Sequence, residues 1–579
     1  MAFRRGNAGP AVALGVAIAV GVALTAGAQP RRGGPPPYTP APDAKDLKSV
    51  LFNWTWHMGM LRGVEEHELV VTLEYQGTGT IHVDGQPCTL ESYRASTNYQ
   101  VPGQRVQYTC TLPNGETRAD IEVVSGRYAW NEDRPGAEII PGEGHATPLP
   151  NAVEERLIRL WASPQGAPKA ALDGAGIGLL AMDRNPGALL EAGPTTLGST
   201  SVSWESGKPV VTYPIPGVPG AVAKATLNER FMAERVVVDH GSTRFEFRYD
   251  DYQDWNNPLN KIEAYYAGRM IESRDGEVVR DLTTVETETG SVYVVMPVPD
   301  SVREAITPGA PEPPPVLFAS DRSAVLTSRE PTPRLPNGKP DLTGTWTASG
   351  MNWRYGNRRC APTQLEGCSP AWNQTIDFEF EAPSRFGPNR PLYKPEHWDR
   401  VQYLDMWTNK EDPVMTCQPL GIPRNGPPRR IIQSERDIVF FYGQYADGGG
   451  GYGEYRIIPI DGRKHDPREA LQTRYMGYTV GHWEGDTLVL DSIAFNDFTW
   501  LARGGFFHSD KMRVIERFTR QGNEILYEVT VEDPEVLVEP WVMTPRILRL
   551  NPNPDAGLLP ERGHCETYEQ EDIVTQIRH

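Results

Sequence analysis

The sequence predicts a mainly β protein in two parts: an N-terminal α+β region built on antiparallel strands, then a C-terminal antiparallel β-barrel. Three observations carry this. Glycine (56) and proline (53) are abundant among the 579 residues, which favours many turns over long helices. Period-two apolar runs bounded by turn dipeptides recur along the chain. Helical spacing is confined to two short segments in the first half.

The elements follow in order. Arg4 and Arg5, an uncharged run from Ala11 and the small residues Ala26-Gly27-Ala28 predict a signal peptide over residues 1–28, with Gln29 as the mature start. Residues 29–42 are rich in Pro, Arg and Gly and read as a flexible leader. Leu47, Val50, Leu51, Trp54, Met58 and Leu61 fall at helical spacing, and Gly63 ends the run. Leu69, Val71, Leu73 and Tyr75 then share one strand face, and Asp84-Gly85 and Asn114-Gly115 signal hairpin turns. A second helix is expected to start with Asn151 as N-cap and Glu154 three residues on, burying Val153, Leu157, Leu160 and Trp161. Strands resume from about Ser201 to Val298, with a turn at Asp239-His240-Gly241. This defines a first domain over residues 43–305 and a Pro-rich linker over 306–340. In residues 341–579, repeated hairpins with almost no helix suggest a closed or nearly closed barrel.

The formal net charge of −18 argues against nucleic acid, because no basic patch exists to displace phosphate counterions. It also disfavours anionic membrane surfaces, and no stable transmembrane anchor is expected after cleavage. Six cysteines in an exported chain suggest bridges and a periplasmic or secreted location. The expected pairs are Cys88–Cys110, Cys360–Cys368 and Cys417–Cys565. Other pairings stay open, as does metal ligation, although no C-x-x-C spacing occurs.

Several motifs carry resemblances. Gly344-x-Trp346 near the first strand of the second domain is similar to the opening of lipocalin-like barrels. PRLPNGKPDLTGTW, WEGDTLVLD, FNDFTWL, HSDKMRVIERF and EDP…PW, from Arg334 to Trp541, occur in the same order in a family of uncharacterised exported bacterial proteins, which this half resembles. That resemblance implies export and no particular activity; members often carry Trp at the position of His482. The segment from Phe245 to Pro299 is similar to the curved-sheet lipoprotein-carrier superfamily, which implies a curved antiparallel sheet for the first domain.

No nucleophile elbow, zinc helix, phosphate loop or dinucleotide fingerprint is present, so no cofactor and no metal is expected. One hairpin allows a sharper argument. The Gly522-Asn523 turn sets Gln521 opposite Glu524, so Arg517 faces Glu528 and Arg513 faces Glu532 on a solvated face. Glu516 then shares the other face with Val514, Phe518, Tyr527, Val529 and Val531. A carboxylate there must be paired, protonated or functional, and a hidden Arg or Lys partner is the plainest explanation. His508, in GGFFHSD and close in sequence to Asp497 and Asp510, reads first as a loop hydrogen-bonding residue and second as a catalytic one.

Two functions remain. The first is a binding protein holding an apolar or amphipathic small molecule, a lipid or glycan, in the barrel. Trp483, Trp500, Phe518 and Tyr527 would be lining candidates, with a protein partner left open for the first domain. The second is a cofactor-free extracytoplasmic hydrolase, lyase or isomerase using Glu516 with His508 or Asp497.

Overall fold

The protein is described by a computed structural model covering residues 45–60, 70–99, 102–177, 193–255, 264–291, 293–306, 325–348, 390–442, 454–502, 504–543 and 545–553. The expected signal peptide, the leader, and Cys360, Cys368 and Cys565 lie outside these residues.

It is mainly β, as the turn-rich composition predicts. Helix α1 (Leu47–His57) opens the first half, capped by the Asp46 carboxylate, which accepts the Ser49 N–H at 3.0 Å. Six strands follow: β1 (Thr72–Val83), β2 (Gln86–Asn98), β3 (Gly103–Thr111), β4 (Thr117–Ser125), β5 (Tyr128–Glu132) and β6 (Ala146–Pro148). Helices α2 (Val153–Ala162) and α3 (Gly166–Ala175) interrupt the run. Eight more strands complete the sheet: β7 (Thr196–Leu197), β8 (Thr200–Glu205), β9 (Lys208–Pro214), β10 (Val222–Leu227), β11 (Ala233–His240), β12 (Thr243–Asp254), β13 (Tyr265–Arg274) and β14 (Glu277–Thr289). Because β14 pairs with β1, both runs merge into one 14-stranded antiparallel sheet.

Helix α2 lies across one face of that sheet. The carbonyls of Trp161 and Ala162, orphaned at its C-terminal end, accept the hydroxyls of Tyr213 and Tyr249 at 3.2 and 2.8 Å. The other face of β4 and β5 packs Val123 and Trp130 against Val294, Met296 and Val302, the last on helix α4 (Asp300–Ile306).

The second half forms a nearly closed barrel. Its strands are β15 (Gly344–Ala348), β16 (Arg430–Gln433), β17 (Asp437–Phe441), β18 (Tyr455–Pro459), β19 (Tyr478–Glu484) and β20 (Thr487–Ile493), then β23 (Arg513–Gln521), β24 (Glu524–Glu532), β25 (Trp541–Val542) and β26 (Arg546–Leu550). The pair β21 (Trp500–Ala502) and β22 (Phe506–Phe507) stands apart. The order runs β18-β17-β16-β15-β26-β24-β23-β20-β19, with β25 added on β24. Its two ends approach each other: the Gly462 N–H, just after β18, donates to the Gly481 carbonyl of β19 at 3.0 Å. A β-carbon on Gly481 would stand 3.0 Å from an Ile460 methyl carbon and 3.3 Å from the Pro459 carbonyl oxygen, so glycine keeps this seam narrow.

Two expectations are corrected. Asn151 is not an N-cap. It lies exposed inside a 3-10 turn (Pro150–Ala152) and α2 begins at Val153, because the Pro150 ring fixes the turn first. Strand structure stops at Thr289, and residues 293–299 cross the sheet as extended chain outside the ladder. As expected, the second half carries little helix: a 3-10 turn (Pro395–His397) leads into α5 (Trp398–Met406) and α6 (Thr408–Glu411).

The expected Cys88–Cys110 bridge is present, joining neighbouring strands with both cysteines buried. Cys417 is also disulfide-bonded. Within the Pro-rich 306–340 stretch, residues 325–340 run along the barrel's hairpin ends. The N–H groups of Thr327 and Ser328 donate to the Glu524 carboxylate at 2.7 and 2.9 Å, and Arg334 makes a two-pronged contact with Asp486.

Candidate functional site

The β23–β24 register places Gln521 opposite Glu524, Arg517 opposite Glu528 and Arg513 opposite Glu532, as the turn at Gly522-Asn523 dictates. Glu516 is therefore fully buried inside the barrel. Its partner is Arg456 of β18, whose Nη2 lies 2.6 Å from Oε2, while the Tyr527 hydroxyl donates to Oε1 at 3.0 Å. Arg456 also donates to the Tyr442 hydroxyl (2.8 Å) and to Thr479 Oγ1 (3.4 Å), and Thr479 pairs with Ser492 at 2.8 Å. Burial pulls the guanidinium pKa down, but the facing Glu516 carboxylate more than offsets it, so Arg456 stays charged. Burial and the same carboxylate push the Tyr527 hydroxyl well up, leaving it a neutral donor. The neighbouring space is occupied by Phe518, whose ring centroid lies 4.9 Å from that of Tyr527 and 5.1 Å from that of Phe440.

His508 belongs to a different cluster. It is buried, and its Nδ1 lies 2.9 Å from the Ser509 carbonyl, which can only accept; the proton therefore sits on Nδ1. Nε2 then accepts from the Thr499 hydroxyl at 2.7 Å. Burial lowers the His508 pKa, so the ring is held neutral. Asp497 is exposed on the preceding loop. No hydrogen bond or ion pair among the described residues joins Glu516 to His508 or Asp497. Trp500 is buried with Arg424 5.8 Å from its ring, and Trp483 is half-buried with Lys339 5.8 Å away. The four candidate lining aromatics thus fall in three places, with only Phe518 and Tyr527 together.

A cleft absent from the sequence reading lies between the sheet and α5. The segment before α5 is fixed by Tyr293, whose hydroxyl donates to the Pro391 carbonyl (3.1 Å) and accepts the Tyr393 N–H (2.6 Å). Trp398, at the start of α5, donates to the Tyr393 carbonyl at 2.8 Å, and Arg105 of β3 sits 4.8 Å from its ring. Gly136 (φ +71°) lets the chain pass close by: a β-carbon there would stand 2.6 Å from Pro395 and 2.8 Å from Trp398. Held this way, α5 faces the outer surface of β1 to β4 across a space of about 850 Å³. One wall presents Tyr403, Met406 and Trp407; the other presents strand residues including Glu74, Ser92 and Gln107. Arg94 spans the gap, 2.8 Å from Glu74 on the sheet and 2.9 Å from Asp399 and 3.1 Å from Gln402 on the helix. The sequence held no local signal for this site, whose walls are some 300 residues apart in the chain.

No protein-family model matches the chain, and no curated protein matches it either.

Proposed function

We propose that the protein is an exported binding protein, periplasmic or secreted, that holds a small molecule in the cleft between the first sheet and α5. The observation that carries this reading is the cleft itself. At about 850 Å³ it falls in the size range of sites for small organic ligands, and both halves of the chain contribute walls. Inside the barrel, where the tryptophan-rich sequence suggests a ligand, the buried side chains of Phe440, Phe518, Leu488 and Leu490 surround the Glu516–Arg456 pair. Export is supported by the basic, apolar N-terminal run and by the buried Cys88–Cys110 bridge. The resemblance of residues 334–541 to exported bacterial proteins agrees with it.

Native mass spectrometry of protein purified from the cell envelope tests the reading. A small molecule should co-purify with the wild type and be absent from Ser92→Trp, whose indole would occupy the cleft. A ligand retained in that variant would overturn the assignment.

The alternative, a cofactor-free enzyme, draws on one observation: the Thr499–His508 hydrogen bond with its tautomer fixed by Ser509. An activity abolished in His508→Gln with ligand binding intact would favour it over simple binding.

A further inference from the structure

We propose that the outer face of β16, β17 and β18 is a docking surface for a second copy of this chain. Alternation along these strands buries Ile431, Ile438, Phe440 and Ile458 in the barrel. It turns Ile432, Val439, Phe441, Tyr455, Ile457 and Pro459 outward. The ladder sets these side by side, with Ile432 opposite Val439, Val439 opposite Ile457 and Phe441 opposite Tyr455. Ile432, Tyr455 and Ile457 are 44%, 60% and 65% exposed, so the apolar surface runs unbroken across three strands. The far wall of the same barrel is built differently: the outward Arg513 and Arg517 of β23 pair with Glu532 and Glu484. A contiguous apolar patch on one side of a barrel otherwise clad in paired charges marks a surface that meets another protein.

The charges at the two ends of the face select the occupant. Arg430 shares the outward face at the Phe441 end, and Asp437 shares it at the opposite end, beside Pro459. Asp437 makes no ion pair among the described residues. A two-fold axis running across the strands lays one copy end for end over the other. Arg430 of each copy then approaches Asp437 of the other, with the apolar rows meeting between them. The face is thus complementary to itself in charge as well as in shape. A lipid or a neutral peptide would cover the apolar rows and leave Asp437 without a counter-charge. Three short strands make a contact at the small end of specific interfaces, so monomer and dimer should exchange in the micromolar range.

Sedimentation of the full chain from low to high micromolar concentration tests this. The wild type should pass from monomer to dimer. Ile457→Arg, at an exposed position, should weaken the dimer at least about tenfold and leave the thermal melt in place. Asp437→Arg and Arg430→Asp should each weaken it too. An equimolar mixture of those two variants should recover it, because only the mixed pair sets opposite charges together at both ends. A wild type that stays monomeric throughout overturns the proposal; if its melt also falls in Ile457→Arg, the face is covered from within the chain. A dimer that Ile457→Arg leaves intact forms elsewhere and overturns it equally. A mixture no stronger than its two components rules out the end-for-end docking of the two copies.

Discussion

Inside the barrel one carboxylate, Glu516, meets one guanidinium, Arg456, whereas beneath α2 three arginines share three glutamates. Arg159 contacts Glu122, Glu155 and Glu272; Arg280 contacts Glu122 and Glu272; Arg274 contacts Glu155 and Glu272. Desolvation is costly in both places, but only the second offers each charge another partner when one is lost. The barrel pair leans instead on neutral hydroxyls, Tyr442, Tyr527 and Thr479. Redundancy, rather than burial alone, should decide how each region tolerates change.

The sharpest test is Glu516→Gln. It strands the Arg456 charge in the barrel and should cost about 3–5 kcal/mol in denaturant unfolding. A loss under about 1 kcal/mol would mean that the pair is not the isolated ion pair described. Glu272→Gln should cost less, about 2 kcal/mol, because Arg159 keeps Glu122 and Glu155 and Arg280 keeps Glu122. Equal losses for the two variants would break the distinction between pair and network.

Acid separates the regions next. Burial pushes the Glu122 and Glu272 carboxyls up, but Arg280 and Arg159 overcome it and hold both at about 2, below the ordinary 4.5. Their stabilisation is complete above pH 4.5 and is lost as pH falls towards 2. His508, with its pKa lowered by burial, stabilises fully above its ordinary 6.5 and loses that contribution as pH falls below it. Amide protection, exchange measured against the intrinsic rate at each pH, should therefore fall around residues 499–512 as pH drops below about 6.5, while that of β4 and β13 holds down to about 4.5. His508→Gln should remove the first slope. Simultaneous loss of protection in both regions would contradict it.

The smallest effect belongs to the barrel's outer face. Arg513 bonds Asp491 and Glu532 with its side chain nearly half exposed, so Arg513→Ala should cost about 0.2–1 kcal/mol. A loss rivalling that of Glu516→Gln would erase the contrast between inward and outward charge.

These differences mark where sequence reasoning runs out. The Glu516 register was legible because a two-residue turn fixes every pairing in its hairpin, and the inward face follows by alternation. Arg456, 60 residues upstream, was not, because only closure of the barrel brings β18 opposite β23. Helix α3 escaped notice because GAPKAALDGA is short, Gly- and Ala-rich and buried through most of its length, so its apolar stripe is indistinct. The cleft was invisible for a topological reason: its walls come from β1–β4 and from α5, with no shared local pattern.

The absence of a side chain at Gly136 has a mechanical meaning. With Pro395 and Trp398 2.6 and 2.8 Å from where a β-carbon would be, the glycine works as the empty slot into which the α5 segment is keyed. Any larger residue becomes a wedge driven at the root of the cleft, tilting one jaw against the other without touching a residue that lines it. A graded series at this one position would make jaw spacing an adjustable quantity, and the selectivity of the site could then be measured as a function of its width.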